Sequence, residues 1–271
     1  MLTSEMKTIQ QFEENFPAQD YYDMIPELLR IRIPGSYMEP EQLSELKLSL
    51  QTIYNLLTFL QKRQETYPHL YHLSLISHPP SPILHPPSSI INYQLSIIHY
   101  PLSIINSISK LIDEKSNVRD NASPALLKIR REKIAKQNSV ERMVIQSFKE
   151  AKKSGWTPDD TDITIRNGRL VIPLVSTHKR KVPGFLHDES ATGQTVYIEP
   201  AGSFEVNNEI RELEYAERRE VIRILTSFAD SLRPDIEELI KHYHFLGEID
   251  FIRAKALFAI EIGGMKPSSV K

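Results

Sequence analysis

The chain has 271 residues, of which 40% are hydrophobic and 25% are charged, and its formal net charge is -2. This composition is typical of a globular protein with one large or two ordinary domains, and it excludes a wholly disordered chain. Because there is no cysteine, disulfides, thiolate zinc sites and cysteine nucleophiles are excluded. The opening "MLTSEMKTIQQFEENF" has no basic region followed by an apolar run, so it is not a secretory signal. We expect a cytoplasmic protein that could bind a polyanion only through local patches.

The first strongly periodic segment predicts a helix from Glu39 on, with its start near Pro40. Apolar residues recur in it at spacings of three and four, which is the pattern of a helix with one buried face. We expect this face to belong to a helical core, and it consists of Leu43, Leu46, Leu50, Ile53, Leu57 and Leu60.

An uncharged tract from Thr66 to Ser109 follows, and its prolines exclude a membrane-spanning helix. Within it, "SIINYQL", "SIIHYPL" and "SIINSIS" repeat every seven residues from Ser89. Pro101 argues against a continuous coiled coil, because an interior proline costs a helix about 3 kcal/mol. We interpret residues 74–106 as an insert, and we predict loose packing over Pro79–Ser89.

The next segment predicts a long basic helix. Ser123 and Pro124 form the pair expected at a helix start, and Gly155 is a matching stop. The helix carries nine Lys or Arg residues against three Glu residues. Ser139 is the position where we expect a break, if there is one.

A period of two then replaces the helical period. In "DITIRNGRLVIPLV", Asn167 and Gly168 separate two β-rich runs, which is a strong signal for a hairpin. The stretches "VPGFLHD" and "QTVYIEP" predict two further strands, with a turn at Gly193 between them. We therefore predict a small antiparallel meander from about Asp162 to Glu199.

Helical periodicity returns after Pro200 and continues almost to the end of the chain. Residues 203–250 hold twelve acidic and six basic side chains, so this region complements the basic helix and we expect the two to be antiparallel neighbours. The fold class predicted is mainly α with a small antiparallel β-meander.

The stretch "HDES" invites comparison with a hydrolase, since His187, Asp188 and Ser190 could act in proton transfer and nucleophilic attack. Consecutive strand residues point to opposite faces, however, so His187 and Asp188 should not face one substrate. We favour polar residues at a strand end and turn, and keep the hydrolase as a minor alternative. No second metal-ligand cluster and no phosphate-cradling glycine loop accompany them, so we expect no metal site and no ATP binding by this chain.

Two stretches nevertheless carry a specific resemblance. "ITIRNGRLVIPLVSTHKRKVPGFLHDESATGQTVYIEP" and "VNNEIRELEYAERREVIRIL" resemble the MutS family in its second bacterial branch, the MutS-two type. Members of that branch read RxGRxVIPV, then VxGxxHDxSxSGxTxFxEP, then NNxLxELxxxExxE. The resemblance extends over nearly the whole chain except residues 74–106, and it involves a set of motif positions that we expect to be structural: Arg166, Gly168, Arg169, Pro173, Gly184, His187, Asp188, Ser190, Gly193, Glu199, Pro200, Asn207 and Asn208.

The resemblance implies a helical core, long antiparallel lever helices and a distal β-containing clamp. We assign residues 1–122 to the core, 123–233 to the levers with the clamp at about 162–199, and 234–271 to a helix that returns to the core. The ATPase and nuclease domains of that branch are not in this sequence, which resembles a piece of a longer protein. ATP and Mg²⁺ are accordingly expected only for that ATPase domain, and no cofactor for this chain.

The branch is associated with branched-DNA binding, control of recombination and rescue of stalled ribosomes, without the domain that reads mismatches. We expect a non-catalytic module that contacts nucleic-acid backbone and relays nucleotide state. The alternative is a structural or dimerisation element of a ribosome-rescue factor that makes no direct DNA contact. Expected partners are DNA, which could be branched, or ribosome or RNA, and a second copy in the full-length protein, with no membrane.

Candidate phosphate contacts fall into two sets of basic residues. One set lies in the strand connection, where side chains are free to meet a partner. The other lies on the basic helix, where charges could equally face solvent or an acidic helix. The candidates are Lys179, Arg180 and Lys181 in the connection, and Lys128, Arg130, Arg131, Lys133, Lys136, Lys149, Lys152 and Lys153 on the helix.

Overall fold

A computed structural model describes residues 1–17, 20–76 and 90–264, with side chains for 1–17, 20–75 and 100–264. The described residues form two compact units. Unit 1 comprises residues 1–122 and 223–271, and unit 2 comprises residues 123–222. The described helices include none that is long and apolar enough to cross a membrane.

Unit 1 is built from helices around an apolar core. All six residues of the predicted apolar face are buried on one helix, α3, which confirms that prediction. The start of α3 is fixed locally, since the backbone N–H of Glu39 donates to Oε1 of Gln42 at 3.0 Å. The helices are α1 (Leu2–Phe12), α2 (Ile25–Arg30), α3 (Pro40–Lys62), α4 (Pro68–Ile76) and α5 (Ile90–Leu111), with a last helix, Ile236–Glu261.

Helix α5 corrects our interpretation of the seven-residue repeats. It runs without interruption through Pro101, although we took this proline as evidence against a continuous coiled coil. Ile104, Ile105 and Ile108 are buried, and α5 packs against α3. This apolar burial offsets the local cost of the proline, because packing rather than propensity supplies most of the stability of a helix in a protein. The prediction of loose packing over Pro79–Ser89 lies outside the described residues.

Unit 2 begins with helix α6 (Pro124–Lys153), whose two ends match the sequence signals. The Ser123 hydroxyl accepts a hydrogen bond from the backbone N–H of Leu126 at 3.0 Å, as an N-cap does. Gly155 follows the helix with a positive φ of 69°. The helix is continuous at Ser139, so the break allowed there does not occur.

Helix α7 (Ala201–Leu232) lies antiparallel to α6 within unit 2, as the charge pattern predicted. The hydroxyl of Ser123, at the start of α6, donates to Oε1 of Glu220 at 2.6 Å. Further along, Nε of Arg130 donates to Oε1 of Glu217 at 2.8 Å. As the residue number increases along α6, the residue number of the partner on α7 decreases, so the two helices are antiparallel.

Four antiparallel strands complete unit 2 and confirm the mainly α fold class with one small sheet. They are β1 (Thr164–Arg166), β2 (Arg169–Val175), β3 (Gly184–Glu189) and β4 (Thr195–Pro200). The β1–β2 turn is the predicted one, with φ of 52° at Asn167 and 73° at Gly168.

The spatial order of the strands is β1-β2-β4-β3. A strict meander would place β3 beside β2, but β4 takes that position instead. Residues 176–183 connect β2 to β3. This segment is long enough to cross the width of β4, which lies between them. The edges of the sheet are therefore β1 and β3.

The core of unit 2 lies between one face of α6 and the central strands. Val140, Val144 and Phe148 on α6 pack in one buried cluster with Ile172 of β2 and Ile198 of β4. Because β2 and β4 are the inner strands, they carry the buried side chains, and β3 is almost wholly exposed. The helix thereby fixes the sheet and the connection between β2 and β3.

Candidate nucleic-acid interface

The basic residues in the first half of α6 divide into paired and unpaired side chains. Arg130 and Lys133 both bond the carboxylate of Glu217, and Lys136 pairs with Glu209. Their charges are thus directed at α7. Lys128 and Arg131 lie on the same helix with exposed side chains.

Glu217 is the acidic centre of this contact, and its side chain is 17% exposed. Burial raises the pKa of Glu217, but hydrogen bonds and charge from Lys133 and Arg130 outweigh that effect and hold the pKa below its usual value. The carboxylate is therefore ionised at neutral pH. It forms ion pairs with Arg130 and Lys133, which are two of the candidate phosphate contacts.

The last turns of α6 carry three exposed cations, Lys149, Lys152 and Lys153. Nζ of Lys152 lies 5.8 Å from the centroid of the Phe148 ring, within the range of a cation–π contact. Lys152 and Lys153 also occupy the last helical turn, where the helix dipole favours positive charge. These lysines can therefore stabilise the end of α6 and also be exposed to a bound phosphate.

Lys179, Arg180 and Lys181 follow a short 3₁₀ turn, Ser176–His178, in the connection between β2 and β3. The backbone of the connection is tied locally, since the N–H of Lys181 donates to the carbonyl of His178 at 2.8 Å. All three basic side chains are exposed. A fixed backbone with exposed cations is a geometry suited to contacts with a charged partner.

The connection between β2 and β3 lies beside the end of α6 in unit 2. Lys181 lines a cavity of about 260 Å³ together with Glu150, Ala151 and Trp156, which belong to the end of α6 and the residues just after it. The backbone N–H of Val175, where the connection begins, donates to the carbonyl of Trp156 at 2.8 Å. We call the six cations Lys149, Lys152, Lys153, Lys179, Arg180 and Lys181 the basic edge.

The basic edge differs from the first half of α6 in its partners. Among the residues that the structure describes, no acidic side chain forms an ion pair with any of its six cations. Glu150 lines the same cavity, and its Oε1 accepts a hydrogen bond from Gln146 at 3.1 Å. The cations are therefore available to an anionic partner.

A buried polar cluster lies at the end of β4. Glu199 has no exposed surface, and Nδ2 of Asn207 donates to its Oε1 at 2.6 Å. His187 Nε2 lies 2.7 Å from Oε2 of Glu199, and Nη1 of Arg169 lies 3.4 Å from Oε1. We call Arg169, His187, Glu199 and Asn207 the Glu199 cluster.

A β-bulge explains how His187 reaches Glu199. The register of β3 against β4 shifts between Leu186 and Asp188, so His187 is the extra residue. His187 and Asp188 meet different partners, Glu199 and Arg166. Strand alternation could not indicate which buried group His187 would meet.

Curated relatives were found by sequence comparison, although no family model matches the chain. "Endonuclease MutS2" of Alkaliphilus oremlandii is 30% identical over 98% of this chain and 31% of the relative. The protein of that name from Pelotomaculum thermopropionicum is also 30% identical, over the same shares. The Streptococcus suis protein is 41% identical over 55% of this chain and 19% of the relative. The chain is a member of the MutS2-type family. It spans about a third of the length of the relatives that it matches end to end.

Other motif positions of this MutS2-type chain shape the hairpins. Nε of Arg166 donates to Oδ2 of Asp188 at 3.1 Å, and its guanidinium lies 4.4 Å from the centroid of the Tyr197 ring. The hydroxyl of Ser190 accepts from the N–H of Thr195 at 3.0 Å. The remaining positions are placed as follows: Gly168 and Gly193 in turns with positive φ, Pro173 and Pro200 buried in β2 and β4, Gly184 against β4, and Asn208 exposed on α7.

The three side chains of the hydrolase hypothesis bond three different partners in this MutS2-type chain. His187 meets Glu199, Asp188 meets Arg166, and the Ser190 hydroxyl closes a turn. They form no hydrogen-bonded series with one another within the described structure, so the geometry gives that hypothesis no support. Across the described ranges, no group of three His, Asp or Glu residues is arranged to hold a metal ion.

Trp156 and Glu150 were missed by sequence reasoning about the interface of this MutS2-type chain, although they line its cavity. A signal did exist for Trp156, because it is the only tryptophan in the sequence and directly follows the Gly155 helix stop. No comparable signal marks Glu150, whose position beside Lys181 depends on contacts distant in sequence.

Proposed function

We propose that this chain is the non-catalytic core, lever and clamp portion of a MutS-like DNA-binding ATPase and relays nucleotide state, and that its unit 2 binds the sugar-phosphate backbone of nucleic acid through the basic edge. The observation that carries this proposal is the set of six exposed cations at one edge, none of which is ion-paired among the described residues. ATP, Mg²⁺ and catalysis belong, in this proposal, to other domains of the full-length protein.

Phosphate is the partner class that fits this chemistry. The formal net charge of the chain is only -2, so attraction to a polyanion depends on where its cations are concentrated. Contacts to phosphate position a protein on nucleic acid without reading its sequence, and the basic edge offers lysines and one arginine suited to that task. The relatives are named as endonucleases, which act on nucleic acid. We therefore propose DNA, branched DNA included, as the partner.

A triple variant, Lys179→Ala, Arg180→Ala and Lys181→Ala, tests the proposal in the whole chain. We expect it to fold normally and to bind branched DNA more weakly at every sequence. The slope of log affinity against log salt should fall by up to about three, close to one unit for each lost phosphate contact. Fluorescence anisotropy with a labelled four-way junction at several salt concentrations measures both quantities.

A matched control removes the same charge elsewhere. Lys62, Lys110 and Lys115 are exposed in unit 1, and changing all three to Ala should leave the salt slope unchanged. Equal losses in the two triple variants would mean that net charge, and not the basic edge, governs binding. An unchanged affinity and slope in the first variant would overturn the proposal directly.

The alternative is a structural or dimerisation element of a ribosome-rescue factor that makes no direct DNA contact. The observation in its favour is the extensive bonding between α6 and α7, which suits a stiff connecting element. Parallel titrations with ribosomal RNA fragments and sedimentation of the chain distinguish these roles. A chain that binds no nucleic acid but self-associates supports the alternative.

A further inference from the structure

Unit 1 contains a cavity of about 560 Å³ that the nucleic-acid proposal does not use. Its walls are the segment before α2 and the middle of the last helix, Ile236–Glu261, which we number α8. A cavity of this volume is in the range that small ligands occupy. Its lining therefore indicates what kind of molecule it would take.

Aromatic rings form much of the lining, namely Tyr21, Tyr22, Tyr243 and Phe251. Phe251 is 61% exposed, so the face of its ring is accessible. Nζ of Lys255 already lies 4.0 Å from the centroid of the Phe251 ring. This ring therefore already binds one cation of the protein, since the face of an aromatic ring attracts positive charge.

Carboxylates occur beside these rings. Asp23, Glu248 and Asp250 line the cavity, and no Lys or Arg is among the described residues that line it. Burial raises the pKa of Tyr21, and a hydrogen bond to Asp250 raises it further, so the Tyr21 hydroxyl donates to that carboxylate. Arg253 is near enough to affect Tyr21 but is not part of the lining. The cavity is therefore both aromatic and acidic.

Tyr243 also lies in the wall of the cavity, and it is 5% exposed. Burial raises the pKa of its hydroxyl, and the nearby carboxylates of Asp23 and Glu27 raise it further, because negative charge disfavours ionisation of a phenol. The surroundings of this ring are therefore negative as well.

We propose that this cavity binds an organic cation, with a planar guanidinium as the preferred group. A guanidinium stacks on aromatic rings and donates several hydrogen bonds to carboxylates at once, which matches the rings and carboxylates present. The cation belongs either to a free small molecule or to an arginine side chain of a protein. The shared chemistry is the same, and the experiment separates the two sources.

Calorimetric titration of the whole chain with arginine amide tests the proposal, with citrulline amide as the neutral isostere. Saturable binding of one arginine amide per chain, and at least about tenfold weaker binding of citrulline amide, is the expected result. Equal binding of the two compounds, or no binding of arginine amide at millimolar concentration, would overturn the proposal.

Variants of α8 locate the site. Phe251→Leu and Asp250→Asn should each weaken arginine amide binding by about five- to tenfold, because each removes one cation-binding group. Phe258 and Glu261 lie on the same helix outside the cavity, and Phe258 is 62% exposed, so Phe258→Leu and Glu261→Gln are matched controls. Equal effects of site and control variants would contradict the assignment. Circular dichroism confirms that each variant is folded.

Two further titrations identify the source of the cation. Agmatine presents a guanidinium without a peptide backbone, whereas glycyl-arginyl-glycine amide presents it within one. Tighter binding of the peptide would indicate a protein side chain, and tighter binding of agmatine would indicate a free small molecule. If neither binds better than citrulline amide, the proposal fails.

Discussion

Glu199 is a buried carboxylate that receives side chains from three other elements. Arg169 reaches it from β2, His187 from β3 and Asn207 from α7. A buried carboxyl group is tolerated only when hydrogen-bonding partners of this kind replace its water. The Glu199 cluster therefore connects the inner strands, the edge strand and the helix that follows them.

Replacing Glu199 by Gln should destabilise unit 2 by about 3 kcal/mol or more, since it leaves the buried Arg169 charge without its partner. Urea denaturation followed by tryptophan fluorescence measures this, because the only tryptophan, Trp156, lies in unit 2. Asp188→Asn is the matched control. It breaks the exposed pair with Arg166 and should cost less than about 1 kcal/mol. Similar losses in both variants would contradict the importance of burial.

Gly184 is required by a close approach between β3 and β4. A Cβ atom there would overlap the carbonyl oxygen of Glu199 and lie 2.7 Å from Cγ2 of Ile198. Gly184→Ala should therefore destabilise unit 2 by about 1–3 kcal/mol, the usual cost of overpacking. The comparison is Gly247→Ala in α8, where a Cβ meets nothing within 4 Å and alanine favours the helix. If urea denaturation gave Gly184→Ala the same stability as the wild type, β3 and β4 would be able to move apart and admit the methyl group, which would contradict this prediction.

Sequence reasoning succeeded for residues whose role is local. Ser123, Asn167 and Gly168 were assigned correctly, because a helix cap and a two-residue turn depend on neighbours in sequence. The meeting of His187 with Glu199 was not predictable, because it depends on a bulge and on pairing between strands. The resemblance did single out both residues, but it gave no indication that they touch.

The helices α6 and α7 show the same division at the scale of elements. Opposite charge and matched periodicity predicted that they would be antiparallel neighbours, and Glu217 with Arg130 and Lys133 confirms it. The sequence could not indicate which cations would be paired, since a step of one residue rotates a side chain by about 100° around the helix, from the partner toward solvent. Arg130 was a candidate phosphate contact, and the structure places it in an ion pair with Glu217.

The Glu217 contact should make unit 2 sensitive to acid. Because the folded-state pKa lies below the usual value of 4.5, the stabilisation is fully present above that pH and is lost as pH falls through the folded-state value. Glu217→Gln should destabilise unit 2 by about 1–2 kcal/mol at pH 7, and the difference from wild type should shrink below about pH 4.5. Tryptophan-detected urea denaturation across pH checks this. Glu214→Gln, an exposed change on the same helix, should have little effect at any pH.

Helix α5 and the strand order mark the limits of prediction for elements. Proline propensity argued against a helix at Pro101, and packing of Ile104 and Ile108 prevailed. The hairpin signal fixed β1 beside β2, but no local signal specified that β4 would be the inner strand. Both outcomes depend on burial between segments far apart in sequence.

At the scale of the whole molecule, the chain leaves unit 1 after residue 122 and returns to it at residue 223. Unit 2 is thus one continuous segment, whereas unit 1 is assembled from two. The basic edge belongs to unit 2 and the aromatic, acidic cavity to unit 1. The two proposed sites can therefore be altered independently, and each has variants that serve as controls for the other.

The hydrogen bond between Ser123 and Glu220 joins the beginning of unit 2 to its end. While unit 2 is unfolded, unit 1 must close a flexible loop on the order of 100 residues long, at an entropic cost of about 4 kcal/mol. Once unit 2 has folded, its two ends are held close together. Unit 1 then loses no further loop-closure entropy when it folds. Chain connectivity alone therefore makes the folding of either unit favour the other, with no requirement for a shared interface.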